Sequence, residues 1–207
     1  MRERKTPNKF IIATGIFLLS ACNDGPMSPR ESARPEAAGS IVSVATVGDT
    51  SITVVAVNTW ANQTLNVDFG NHKLVFPANS ICSLGTSSYG PGEWDKPCTP
   101  EIGTVTLTVR SWSDAGGHPR IDVQPHMRFN PAASAVMLTL RDRAGTVSDK
   151  AIGYCPDLGE CYDESLSDAS LVTYRDSNGN YKRRVKHFSG YNIVSGRSVE
   201  AEMSMME

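Results

Sequence analysis

The chain of 207 residues has no uninterrupted apolar run of the ~20 residues that a membrane-spanning helix requires. No segment repeats apolar residues at the roughly 3.6-residue period of an amphipathic helix, which argues against a helical bundle. Basic residues cluster only in "YKRRVK", Tyr181 to Lys186, which reads as a solvated strand end. Without a basic face, nucleic acid is not an expected partner. The cysteines lack the short C-x-x-C gap of a zinc site, and His72, His118, His126 and His187 are scattered, so neither metal nor other cofactor is expected. A hydrolase elbow, Gly-x-Ser-x-Gly, is missing too: "GTSSYG", Gly85 to Gly90, has the composition without the spacing. "DSNGN", Asp176 to Asn180, begins like a calcium loop but lacks the distal Glu. The acidic pairs Glu93…Asp95 and Asp163–Glu164 lie in loop sequence, where solvated charge is the default.

What is present starts at the N-terminus. Arg2, Arg4, Lys5 and Lys9 precede the apolar run "FIIATGIFLL", Phe10 to Leu19, the order of an export signal. The run ends in "LSAC", Leu19-Ser20-Ala21-Cys22, which resembles the bacterial lipobox. That resemblance implies a signal peptide over 1–21, cleavage before Cys22, and a diacylglyceryl and acyl anchor on Cys22 that binds the membrane. Asn23 stands where some bacteria place a retention Asp, so the outer membrane is expected rather than the inner one. Residues 1–21 carry a net charge of +3, which leaves −5 on the remainder of a chain whose total is −2. Residues 22–39 are rich in Pro, Ser, Ala and charge and cannot offset their ordering entropy, so they read as a flexible tether.

With Cys22 lipidated, Cys82, Cys98, Cys155 and Cys161 remain, an even set suited to disulfides in an exported chain. Three connectivities are open; local pairing, Cys82–Cys98 and Cys155–Cys161, is expected because each pair brackets a loop rich in Gly and Pro.

From Ser40 to Gly196 the pattern has a period of two. "TVTLTVRSW", Thr104 to Trp112, sets Val105, Leu107 and Val109 on one face and threonines on the other. Similar runs cover 51–60, 65–69, 72–77, 119–125, 134–142, 170–176, 181–188 and 191–195. Asn178-Gly179 predicts a type I′ hairpin. Many short strands at this spacing predict an all-β fold, a β-sandwich of mainly antiparallel strands over 40–196, with 197–207 as a tail.

Two stretches resemble a ZU5-type domain, the sandwich of ankyrins, netrin receptors and some death-domain proteins. They are "HKLVFPANSI", His72 to Ile81, and "IDVQPHMRFNPAASAVMLTL", Ile121 to Leu140, where Pro125, Phe129, Pro131, Val136, Leu138 and Leu140 match the family's strand pair. The Cys82–Cys98 insert departs from that pattern. The resemblance implies an adhesive or scaffolding module and, in some members, self-cleavage at His-Phe-Ser, here His187, Phe188 and Ser189. Ser189 Oγ would attack the Phe188 carbonyl while His187 or another base takes its proton, and Gly190 would take the backbone distortion. The plain alternative is a strand whose Phe188 and Tyr191 pack in the core.

Trp60, Trp94 and Trp112 are the remaining candidates for contact. Trp94, with Tyr89, lies in the Cys82–Cys98 loop and could meet a sugar or a protein. The sequence therefore supports three functions. The first is a non-enzymatic, lipid-anchored binding or structural module in the periplasm or at the cell surface, with an unknown protein or glycan partner. The others are a self-cleaving domain cut at Phe188–Ser189 and a carbohydrate-binding accessory protein using Tyr89 and Trp94.

Overall fold

The computed structural model of the protein describes residues 37–38, 40–144, 149–196 and 198–200. The export signal, the lipobox and Cys22 lie outside the described residues. Among those described, no helix is long and apolar enough to cross a membrane.

The strands are β1 (Ala37–Ala38), β2 (Ser40–Val47), β3 (Thr50–Asn58), β4 (Gln63–Val67), β5 (His72–Phe76), β6 (Thr104–Ser113), β7 (Pro119–Arg128), β8 (Val136–Arg141), β9 (Lys150–Cys155), β10 (Thr173–Arg175), β11 (Asn180–Val185), β12 (His187–Ser195) and β13 (Ser198–Glu200). One sheet has the order β1-β4-β5-β8-β11-β10-β13 and the other β2-β3-β6-β7-β12-β9. The pairings are antiparallel except β1 with β4 and β10 with β13. The expected all-β sandwich is the fold. Strands β1 and β13 fall within the segments read from sequence as tether and tail.

Alternation sets the core. In β3 and β6 the inward residues stand directly opposite each other: Val57 with Val105, Val55 with Leu107 and Thr53 with Val109. Val55, Val57 and Leu107 are fully buried. Each such side chain contributes roughly 1.5–3 kcal/mol relative to exposure. The sheets meet through aromatics: the Phe76 ring of β5 lies 5.7 Å from that of Phe188 in β12, and Phe129 lies 4.8 Å from Phe188, both edge to face. At one flank, β2 pairs only with β3 and every residue of it is exposed, Ile41, Val42, Val44 and Val47 included.

The Asn178-Gly179 hairpin forms, though not as a type I′ turn. Only Gly179 takes positive φ, at 79°. The Asp176 carboxylate accepts hydrogen bonds from the amides of Asn178 and Asn180, both 2.9 Å, and this Asx geometry selects the longer loop.

Both disulfides pair locally, Cys82–Cys98 with Cα atoms 5.6 Å apart and Cys155–Cys161 with 4.1 Å. The first closes part of the long β5–β6 connection. The second opens the β9–β10 connection, whose short 3₁₀ turns Glu164–Leu166 and Ala169–Leu171 are capped by Asp163 and Asp168. Both connections converge where the chain leaves one sheet for the other, at Lys186. The Lys186 ammonium bridges Asp95 of the first connection at 2.6 Å and Asp168 of the second at 2.5 Å.

Candidate functional site

Sequence alone merges residues 181–188 into one strand. The structure breaks that strand at Lys186. Val185 ends β11 in one sheet, and His187 begins β12 in the other, between β7 and β9. His187, Phe188 and Ser189 therefore sit at the corner of the sandwich.

The ladder is interrupted at Ser189. Along β12 and β7, Phe188 faces Met127, and the next pair is Gly190 with Asp122. Two residues of β12 thus span the distance from Met127 back to Asp122, so β7 bulges across from Ser189. Pairing with β9 begins only at Gly190, opposite Cys155. Gly190, expected to absorb the distortion, is a regular ladder member without positive φ; the irregularity lies in β7. Ser189 is 2% exposed, and its Oγ has no hydrogen-bond partner of ordinary geometry.

The Cys82–Cys98 loop folds onto this corner. Its organiser is Arg128, the β7 residue opposite His187, 5% exposed. The guanidinium donates to four loop carbonyls: Ser88 at 2.9 Å, Glu93 at 3.1 Å, Lys96 at 2.5 Å and Pro97 at 3.3 Å. A planar cation with five donors suits this task, because loop carbonyls otherwise turn to water. Held this way, the loop places Trp94 over the His187 ring, with centroids 4.0 Å apart and planes 24° from parallel. It also sends the Tyr89 hydroxyl to the carbonyl oxygen of Phe188, to which it donates at 2.9 Å. Tyr89 is braced by Trp94 at 4.8 Å and by the stacked ring of His126 at 5.6 Å, which belongs to the β7 bulge.

Beneath lies a buried ionic cluster. His187 is fully buried and its Nε2 meets Glu164 Oε1 at 3.0 Å. Arg183, also fully buried, donates to the other Glu164 oxygen and to the carbonyl of Ile152 at 2.5 Å. Burial pushes the Glu164 carboxyl up; the His187 hydrogen bond and the Arg183 charge outweigh it, so the group lies below the usual carboxylate range. The Tyr191 hydroxyl donates to the His187 carbonyl at 2.7 Å, and the Tyr154 ring stands edge-on to His187 at 4.4 Å. Burial raises the Tyr89 hydroxyl well above its ordinary pKa, with Tyr154 adding to the rise and nearby Ser189 opposing it.

The residues singled out from sequence thus gather at one place: Tyr89, Trp94, His187, Phe188, Ser189 and the Cys82–Cys98 bridge. Trp60 is exposed in the turn after β3, and Trp112 lies apart under the Arg120 guanidinium, 5.7 Å from its ring. Arg128, Glu164, Arg183 and Tyr154 give no sequence signal of their role. Asp163-Glu164 reads from sequence as solvated charge and "YKRRVK" as a solvated strand end; Glu164 is instead buried against Arg183 and His187, and Arg183 and Tyr181 of that run are fully buried because β11 turns them into the sandwich. No group of three His, Cys, Asp or Glu suited to a metal stands among the described residues. No protein-family model matches the chain, and neither does any curated protein or solved structure.

Proposed function

We propose that the protein is a lipid-anchored module of the bacterial cell envelope whose β-sandwich cuts its own backbone between Phe188 and Ser189. One observation carries the reading: a buried Ser189 hydroxyl, without a hydrogen-bond partner of ordinary geometry and close to the Tyr89 hydroxyl, lies in a ladder gap next to a Phe188 carbonyl that already accepts a hydrogen bond from Tyr89. A buried hydroxyl left without a partner costs about 1–3 kcal/mol, and a reactive role is one physical reason for keeping such a group.

The chemistry follows from the parts. Ser189 Oγ adds to the Phe188 carbonyl carbon, and its proton ends on the Ser189 nitrogen as the C–N bond breaks. This leaves an ester between Phe188 and Ser189 Oγ. Water hydrolyses that ester to a Phe188 carboxylate, a free Ser189 hydroxyl and a new amino terminus. His187 is the base, its Nε2 held by Glu164 and its Nδ1, 3.5 Å from a Tyr191 hydroxyl that donates elsewhere, left to take the proton. It is not hydrogen-bonded to Ser189 at rest, as is common for catalytic contacts that tighten only during reaction. The N-terminal signal, Cys22 in its lipobox and the two disulfides support an exported, anchored chain.

A second reading, the non-enzymatic structural module, is favoured by the 2% exposure of Ser189, which keeps water from the bond. In that case the cluster is a lock between two connections and β12. The carbohydrate-binding reading has less room, since Trp94 stacks on His187 and Tyr89 engages Phe188. Peptide sequencing of the denatured protein separates the first two. Self-cleavage yields a new N-terminus Ser189-Gly190-Tyr191 that Ser189→Ala abolishes, and the structural module yields none.

A further inference from the structure

We propose that Tyr89 is the oxyanion donor of the Phe188–Ser189 bond and that the Cys82–Cys98 disulfide, by fixing the loop that delivers it, makes cleavage depend on oxidation of the chain. This rests on the self-cleavage reading and names a catalytic residue and a control that the His-Phe-Ser motif does not contain.

Addition of Ser189 Oγ turns the Phe188 carbonyl oxygen into an oxyanion. The group in contact with that oxygen is the Tyr89 hydroxyl, 2.9 Å away and donating. A donor aimed beforehand at the atom where charge develops lowers the barrier without reorganising during reaction. Tyr89 is suited to it: its raised pKa keeps the proton on the phenol, so it donates throughout. Ser189 lies close enough to influence the same hydroxyl, which places nucleophile and donor around one carbonyl.

Nothing local places Tyr89 there. It is separated from Phe188 by 99 residues and sits in a loop that pairs with no strand over Leu84–Lys96. Its position depends on the disulfide at the loop's base and on the Arg128 guanidinium at its centre. With Cys82 and Cys98 reduced, the closed ring opens, and the Arg128 contacts, the Asp95–Lys186 pair and the Trp94 and Tyr89 stacking must hold the loop against a larger chain entropy. A reducing compartment therefore holds the donor on the carbonyl for a smaller fraction of the time, and an oxidising one sets it. Cleavage is thereby faster in chains that have been exported.

The test is a pulse–chase of the full-length chain in a bacterial host, labelled with radioactive methionine. Samples are denatured without reductant, and fragments are resolved by gel and mass. The fragment from Ser189 to Glu207 carries Met203, Met205 and Met206 and no cysteine, so it is visible and unlinked. Three variants are compared: Tyr89→Phe, which keeps the ring and removes the donor; the Cys82→Ser/Cys98→Ser pair; and Ser189→Ala. Loss of one oxyanion donor slows reaction about 100-fold or more. The expected result is rapid cleavage in wild type, cleavage slowed at least that far in Tyr89→Phe while the variant stays folded with a melting temperature lowered by only a few degrees, slowing in the cysteine pair, and none in Ser189→Ala. Wild-type cleavage matched by Tyr89→Phe overturns the donor role and leaves self-cleavage standing. Cleavage undiminished in the cysteine pair overturns the oxidative control. An uncut wild type overturns the self-cleavage reading and this inference with it.

Discussion

Replacing Arg183 with methionine removes a buried cation while nearly preserving volume, and the structure fixes what is then left behind. The guanidinium is fully buried. It donates to the Ile152 carbonyl at 2.5 Å, to the Arg184 carbonyl at 3.3 Å and to Glu164, and lies 5.8 Å from the Tyr191 ring centre. In Arg183→Met, Glu164 keeps only His187, and the Ile152 carbonyl loses this donor. Breaking a buried pair from one side costs about 3–5 kcal/mol, because the remaining charge is uncompensated. At a urea slope of about 2 kcal/mol per molar, the midpoint falls by roughly 1.5–2.5 M. Adding Glu164→Gln removes the stranded charge, so the double variant is expected to be more stable than Arg183→Met alone. The sign with pH follows. Glu164 has a depressed folded pKa, so its stabilising share is present above the unfolded carboxylate range and is lost as pH falls through the folded value. The wild-type advantage over Arg183→Met therefore narrows in acid. Urea unfolding followed by tryptophan fluorescence reads all three quantities. A cost under about 1 kcal/mol for Arg183→Met, or a double variant no more stable than the single, refutes the reasoning that burial makes this pair matter.

Other expectations follow from separate elements. Arg128→Met removes four carbonyl contacts, so the loop from Ser83 to Pro97 becomes the first site cut in limited proteolysis, and stability falls by about 2–4 kcal/mol. His72 in β5 is held down to about 4 by burial, with Arg143 adding and Asp68 opposing. Its stabilising share is present above pH 6.5 and is lost toward pH 4, worth about 3 kcal/mol at most. Denaturant unfolding at a series of pH values shows this as a slope that His72→Gln flattens. Removing the Cys82–Cys98 bridge costs about 3 kcal/mol in the chain-entropy model, read as a drop in melting temperature. Val44→Lys on exposed β2 changes stability by less than about 0.5 kcal/mol in the same assay.

Periodicity made most of the sandwich legible because inward and outward residues alternate, as in β3 and β6. It did not reveal β9. Five of that strand's six residues are buried on both faces, so "KAIGYC" shows no alternation, and Gly153 breaks the run. The structure explains that glycine: a Cβ there would stand 2.6 Å from Val194 Cγ2. Strand β2 escaped for the opposite reason, since both its faces meet solvent and nothing selects which residues are apolar. The break at Lys186 was invisible because "YKRRVKHF" has strand character throughout; at the break the Lys186 ammonium meets Asp95 and Asp168, which come from other loops. For the candidate site, the motif His187-Phe188-Ser189 and the aromatic loop could each be found, but not their meeting. Sequence carries no local signal for a hydrogen bond spanning 99 residues or for a guanidinium that gathers four carbonyls.

The central claim is that the bond between Phe188 and Ser189 is reactive. Its most direct test is the intact mass of the full-length protein, purified from a bacterial host and denatured without reductant, beside Ser189→Ala. The account predicts two wild-type species that divide between Phe188 and Ser189, and a single uncut species for the variant. A single uncut species from wild type contradicts it and leaves a structural lock at the sandwich corner.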